Sequence, residues 1–306
     1  MIILSTLIGP IFFYFGKGDM FELIGDTTVS MLLLCALFAI LMIPAPMSAD
    51  IRGWGEINAI NGNAWTLYYE YFANILYALV IRRFSRFWLT VFVILTSVLT
   101  FNLALNIDLF GLFGDRVNNA YTMIGGWNLT GQSVLIGFSR LLFPFFTGLL
   151  LSRLNWKIKV DNGFIWCSLI LCTVLFMPRI GGTDNGILNG IYEATCIIIV
   201  FPLLVAMGAG SITDTKDNRL CRLLGDLSYP LYIVQYPIVY TLLGGWKSHN
   251  PDASLDQIIF VNVACFMLSV LVAYASLKLY DEPVRRWLSK HWTSVRKAIK
   301  SLLPTG

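Results

Sequence analysis

"NGNAWTLYYEYFANILYALVIRR", residues 61–83, is apolar enough to cross a membrane, yet it holds a carboxylate, Glu70, about one and a half turns into its helix. Asn63, Trp65, Tyr68 and Tyr69 stand around that charge, and Arg82 and Arg83 close the run. A charge inside a membrane helix is costly, usually faces the protein interior and commonly has a partner. Whether this run spans a membrane decides the fold.

Composition points to a polytopic membrane protein. Of 306 residues, 57% are hydrophobic and 13% charged, against about 25% charged in ordinary soluble domains. The expected fold is all-α, a polytopic membrane helical bundle. The net charge of +4 is too small to suggest a nucleic-acid partner. Cys35, Cys167, Cys172, Cys196 and Cys265 lie in apolar runs, and Cys221 lies in a basic loop. With no CxxC, and with His249 and His291 far from any Cys in sequence, neither a metal site nor a disulfide framework is expected. The start, "MIILSTLIGPIFFYF", lacks the basic region of a signal peptide and reads like the middle of a protein.

A spanning helix needs about 20 mostly apolar residues. About eight full spans are expected, near 1–15, 65–81, 88–106, 134–152, 163–178, 189–208, 227–244 and 257–279. A ninth run, 29–43, is stopped by Pro44 and Pro46 and is expected to be re-entrant or interfacial.

Orientation follows from Lys and Arg, which concentrate in cytoplasmic loops. Arg82, Arg83 and Arg86 form one cluster; Arg153, Lys157 and Lys159 a second; Lys216, Arg219 and Arg222 a third. The tail carries Arg285, Arg286, Lys290, Arg296, Lys297 and Lys300. All four fall on one side when the spans from residue 65 alternate, leaving Arg116, Arg179 and Lys247 opposite. The C-terminus is then cytoplasmic in a multi-pass protein of the cell membrane. One membrane domain, 1–288, precedes a basic tail, 289–306. Trp287, Leu288, Trp292, Ile299 and Leu302 among the basic residues suit either an interfacial helix or a short soluble tail.

Glu70, Arg140 and Glu193 are the charges well inside the spans. At ~1.5 Å of rise per residue they sit about 8, 9 and 6 Å below the outer ends of their helices. One cluster is expected, with Arg140 bridging two carboxylates, as a polar site or as an ion pair that locks helices together. In "GDLSYPLYIVQYPIVY", 225–240, Tyr229, Tyr232, Tyr236 and Tyr240 make a stripe at helical spacing, with Gln235 beside it. Pro230 and Pro237 free backbone carbonyls, as in a helix lining a cavity. "NLT" at 128–130 matches a glycosylation sequon that nothing else supports.

Four stretches together resemble the integral-membrane acyltransferase family 3, which includes O-antigen and exopolysaccharide O-acetylases. "NGNAWTLYYEYFANILYAL" resembles its Trp-Ser/Thr-Leu-x-x-Glu segment, and "RLLFPFFTGLLLSRL", 140–154, its Arg-x-x-x-x-Phe-x-x-Gly segment. "LLGDLSYPLYIVQYPIV", 223–239, is similar to Leu-Gly-x-x-Ser-Tyr-x-x-Tyr-x-x-His-x-Pro, and "YDEPVRRWL", 280–288, to the closing Glu-x-Pro-x-Arg. The resemblance implies roughly ten helices. It implies transfer of an acyl group, commonly acetyl, from acyl-CoA as co-substrate to a hydroxyl of a glycan or lipid-linked sugar, with no bound cofactor. Motif match and depth together place Glu70 and Arg140 in the catalytic site and Asn63, Trp65, Tyr69, Glu193, Tyr232 and Gln235 at the substrate. Basic residues such as Arg153 would hold the anionic end of the donor.

Two departures stand out. The family's first helix carries an Arg followed about eleven residues on by a His, the usual base, and this sequence has no such motif. The stretch 1–15 resembles the third helix, so an N-terminally truncated, inactive chain is one expectation. Gln235 stands where many members have His; Gln exchanges hydrogen bonds but is no base near neutral pH. Glu70 is thus expected to organise the site rather than act as the base. From another class, a transporter or flippase-like protein with a polar intramembrane cavity also fits such charges, but no internal repeat supports it.

Overall fold

The computed structural model describes residues 1–15, 21–113, 116, 119–180, 186–212 and 215–302, without the side chains of 12–15, 215–218 and 293–302. The side chains of Lys216, Arg296, Lys297, Ile299, Lys300 and Leu302 thus lie outside the described residues. The fold is an all-α bundle. Its helices are α1 (Ile2–Phe15), α2 (Val29–Leu41), α3 (Trp65–Leu79), α4 (Arg86–Ala104), α5 (Gly131–Leu154) and α6 (Gly163–Leu175). There follow α7 (Ile187–Thr195), α8 (Phe201–Ala209), α9 (Thr215–Ile238), α10 (Gly245–His249), α11 (Leu255–Ser276) and α12 (Glu282–Leu302). Wide π-turns join three pairs: Cys196–Val200 between α7 and α8, Val239–Gly244 between α9 and α10, and Leu277–Asp281 between α11 and α12.

The helices begin where the sequence supplies caps. Ser85 and Thr130 accept backbone N–H bonds at the starts of α4 and α5, and Ser254 with Gln257 forms a capping box on α11, which satisfies N–H groups that a first turn leaves open. Four helical stretches are long and apolar enough to cross a membrane: Arg86–Ala104, Gly131–Leu154, Ile187–Ala209 and Leu255–Trp292. Many of their large apolar side chains face outward, Phe260 at 74% and Leu271 at 66% exposure among them. A helix apolar on its outer face belongs in lipid or in a core.

Of the other expected spans, 1–15, 65–81 and 163–178 are short helices of 14, 15 and 13 residues, while 227–244 falls in α9 and the π-turn after it, outside the four stretches. The ninth run, expected not to cross, is α2. α2 and α6 have 13 residues each, about 20 Å of rise against a hydrocarbon core of ~30 Å. Length and composition therefore do not reach the expected count of about eight full spans. α2 runs along the 45–60 loop, where the Cys35 thiol bonds the Ala49 carbonyl at 3.1 Å and Ala39, Ala45, Ile51 and Ile60 share its core. The left-handed turn at Met42 (φ 55) ends it just ahead of Pro44. The expected boundary between 288 and 289 falls inside α12, which continues unbroken across it.

The basic segments gather at one end of the bundle. Arg153 donates to the carbonyls of Phe84 (2.7 Å) and Ile81 (3.2 Å), joining the end of α5 to the Arg82–Arg86 turn. The chain after α5 pairs with the chain after α8 in a two-residue parallel ladder, Val160 opposite Ser211 and Asp161 opposite Ile212. α9 packs against α11 and touches the Leu277–Asp281 turn that leads into the tail. At the opposite end, Arg116 donates to the Ile124 carbonyl (2.9 Å), Ile57 N–H bonds the Trp127 carbonyl (2.7 Å), and Trp54 packs on Phe21 and Tyr240.

Candidate functional site

The quoted stretch is fastened before it becomes a helix. Pro237 has no N–H, so the Ile233 carbonyl lacks its usual helical partner. The Asn61 side-chain amide bonds that carbonyl at 2.7 Å. Beside it, the Asn63 amide reaches the Tyr232 carbonyl (3.2 Å), while the Tyr232 hydroxyl donates to the Asn63 carbonyl (2.6 Å) and meets Thr66 Oγ1 (2.6 Å). These bonds set the height and rotation of α3 against α9.

That rotation turns Trp65, Thr66, Tyr69 and Glu70 toward α5. They line a cavity of about 420 Å³ with Gly137, Arg140 and Pro144. The Tyr69 ring occupies the space a Cβ on Gly137 would need, so this close approach demands glycine. The Arg140 guanidinium lies 4.8 Å from the centre of the Trp65 ring and donates to the Gly125 carbonyl at 2.6 Å. Glu70 is exposed at the rim.

The three-charge cluster does not form. Among the described residues Arg140 makes no ion pair. Glu193 binds Arg179 (2.8 Å) and the Met123 N–H (2.7 Å) and lines a separate cavity of about 290 Å³ with Tyr192 and Phe201. Equal depth sets the height of a side chain, while each residue turns the helix by ~100°, and α7 presents Glu193 away from Glu70. Arg140 spends its charge on an aromatic face and a carbonyl instead.

Of the eight expected site residues, Trp65, Tyr69, Glu70 and Arg140 meet at one cavity. Asn63 and Tyr232 stand behind it as bracing. Gln235, half-buried, does not line the cavity. Arg153 serves as a clamp on backbone carbonyls rather than as a free cation at the basic end. His249 bonds the Gly245 carbonyl (2.7 Å), and His291 stacks on Trp287 with ring centres 4.3 Å apart. Neither lines the cavity.

A second polar cluster had no sequence forecast beyond the tyrosine stripe. Arg52, fully buried, pairs with Glu56 and donates to the Tyr236 hydroxyl at 2.7 Å. That hydroxyl in turn bonds the Glu56 carboxylate at 2.9 and 3.0 Å. Arg52 also donates to the Asn58 carbonyl (3.2 Å), and the Asn58 side-chain oxygen accepts the N–H groups of Ile60 (3.0 Å) and Asn61 (2.8 Å). Burial pushes the Glu56 carboxyl above its ordinary range, opposed by Arg52 and the Tyr236 hydroxyl. The stripe of Tyr232, Tyr236 and Tyr240 is the seam onto which the 45–64 loop docks.

A helical bundle with apolar membrane-length helices, a polar cavity beside Arg140 and basic segments at one end defines a polytopic membrane protein with an internal site. Residues 1–277 match the family model of the acyltransferase 3 domain. The chain belongs to that acyltransferase family. No curated protein and no solved structure matches it.

Proposed function

We propose that this protein transfers an acyl group, acetyl being the simplest, from acyl-CoA to a hydroxyl of an exported or lipid-linked glycan at the Trp65–Arg140 cavity. The observation that carries the reading is a cation, a carboxylate and two aromatic rings on one cavity within the acyltransferase match. In such a transfer the hydroxyl oxygen attacks the thioester carbonyl, a C–O bond forms, the C–S bond breaks and CoA thiolate leaves. The hydroxyl proton ends on the departing thiolate, giving free CoA thiol, and charge develops transiently on the carbonyl oxygen. Arg140 is assigned to that oxyanion. Glu70 orients the acceptor hydroxyl, and Trp65 and Tyr69 stack against the sugar. Asn63 and Tyr232 hold the wall in place.

The four basic segments support a cytoplasmic C-terminus in the cell membrane by the positive-inside rule, with the cavity's Asn63–Glu70 side toward the outer leaflet. The test is glycan O-acyl content in cells with and without the protein, and with Glu70→Gln. Acylation that depends on the protein and disappears in the variant is expected. Equal acyl content with and without the protein overturns the reading.

A further inference from the structure

A second cavity, of about 310 Å³, shares Arg140 and Pro144 with the first and continues along α5 toward the basic end. Arg140, Thr147, Gly148 and Leu151 form one wall, at helical spacing, and Ile197, Phe201 and Val205 form the other. From Arg140 to Leu151 the wall rises ~17 Å, about the reach of five extended chain units. Below Arg140 the groove is apolar apart from one buried group: Thr147 is 8% exposed, and its hydroxyl has no hydrogen-bond partner. A buried hydroxyl left unpaired is costly, which favours an occupant that pairs with it. Gly148 keeps the groove open, since a Cβ there would meet nothing within 4 Å. Pro144 adds a backbone carbonyl, that of Arg140, without its helical N–H partner.

The foot of the groove carries charge. Ile158 N–H bonds the Ala206 carbonyl (3.0 Å) beside Val205, which places the flanking Lys157 and Lys159, both exposed, next to that end. We infer that this groove is the donor site: it takes the extended two-amide pantetheine arm of an acyl-CoA, with the phosphates at Lys157 and Lys159 and the thioester at Arg140. This rests on the acyl-CoA reading above. A phospholipid fills an apolar groove and also carries a phosphate for the two lysines, but its tail has no polar group midway for Thr147. An amide-bearing arm supplies both.

The test is calorimetric titration of CoA into the full chain in lipid nanodiscs. Wild type should bind. Gly148→Leu, whose Cβ meets no atom within 4 Å and whose side chain takes up groove volume, should weaken binding by about tenfold or more, since occupied volume excludes the arm. Thr147→Val should weaken it about fivefold through the lost hydrogen bond. Lys157→Glu with Lys159→Glu should weaken it about tenfold and flatten its salt dependence. Wild-type affinity in Gly148→Leu overturns the groove while leaving acyl-CoA as the donor. If Gly148→Leu fails to fold, wild-type affinity in Thr147→Val does the same. No CoA binding by wild type overturns the donor and the groove together.

Discussion

The Arg52–Glu56–Tyr236 cluster and the Trp65–Arg140 cavity are both polar, and they lie on neighbouring faces of the same α3 entry segment. They differ in how their groups are satisfied. In the first, cation, carboxylate and hydroxyl bond one another. In the second, Arg140 has one carbonyl and one ring, and the Glu70 carboxylate has no protein partner among the described residues. A closed set of polar bonds holds backbone in place, whereas an open set in a cavity is free to bind. The contrast assigns the first cluster to the fold and the second to the chemistry.

The largest effect should come from breaking the closed set. Arg52→Ala leaves a buried carboxylate without its counter-ion, a loss of about 3–5 kcal/mol, and should lower the melting temperature and the yield in detergent. Cutting the open set should do the reverse. Glu70→Gln should abolish acylation, and Arg140→Ala should lower kcat about 10²–10³-fold, both with melting temperatures near wild type. If Arg140→Ala unfolds the protein as readily as Arg52→Ala, the division between the two clusters is wrong.

These two regions were unequally legible. Tyr69, Glu70 and Arg140 stood out because charges and polar rings are rare in apolar helices, and helix positions followed the apolar runs closely. The basic segments at one end were likewise readable from spacing alone. Rotation was not. Glu193 sat at the right height, yet the contact that claims it comes from Arg179 in the preceding loop. Arg52 and Glu56 gave no signal, because loop polarity is ordinary and Tyr236 lies 180 residues from Glu56. The readable hint was the seam itself: tyrosines on one face of α9 require hydroxyl partners, and a loop with Asn58, Asn61 and Asn63 can reach backbone.

A smaller effect tests how the seam supports the cavity. Asn61→Ala leaves the Ile233 carbonyl, freed by Pro237, without its donor. The expected loss is about 1–3 kcal/mol, with a modest fall in activity as α3 loosens against α9. Gly62, whose missing Cβ leaves room for Glu56 and the Tyr236 ring, should tolerate Ala less well than Asn61 does. Equal stability in both variants would mean that the seam is held by rings rather than by backbone bonds.

The smallest effect concerns pH and separates the clusters once more. Burial raises the Glu56 carboxyl in the folded chain. A group whose folded value lies above its unfolded value binds protons more readily in the fold. The stability it contributes is fully present below the unfolded value and is lost as pH rises through the folded one. Glu56 therefore opposes acid unfolding, although the ion pair with Arg52 weakens as it protonates. Removing the titration by Glu56→Gln should keep the Tyr236 bond and steepen the fall of melting temperature toward acid across the weakly acidic range, because the offset from Glu56 is gone. A shallower fall in the variant would mean that Arg52 outweighs burial and holds the carboxylate charged, so that the closed cluster is an ion pair first and a hydrogen-bonded brace second.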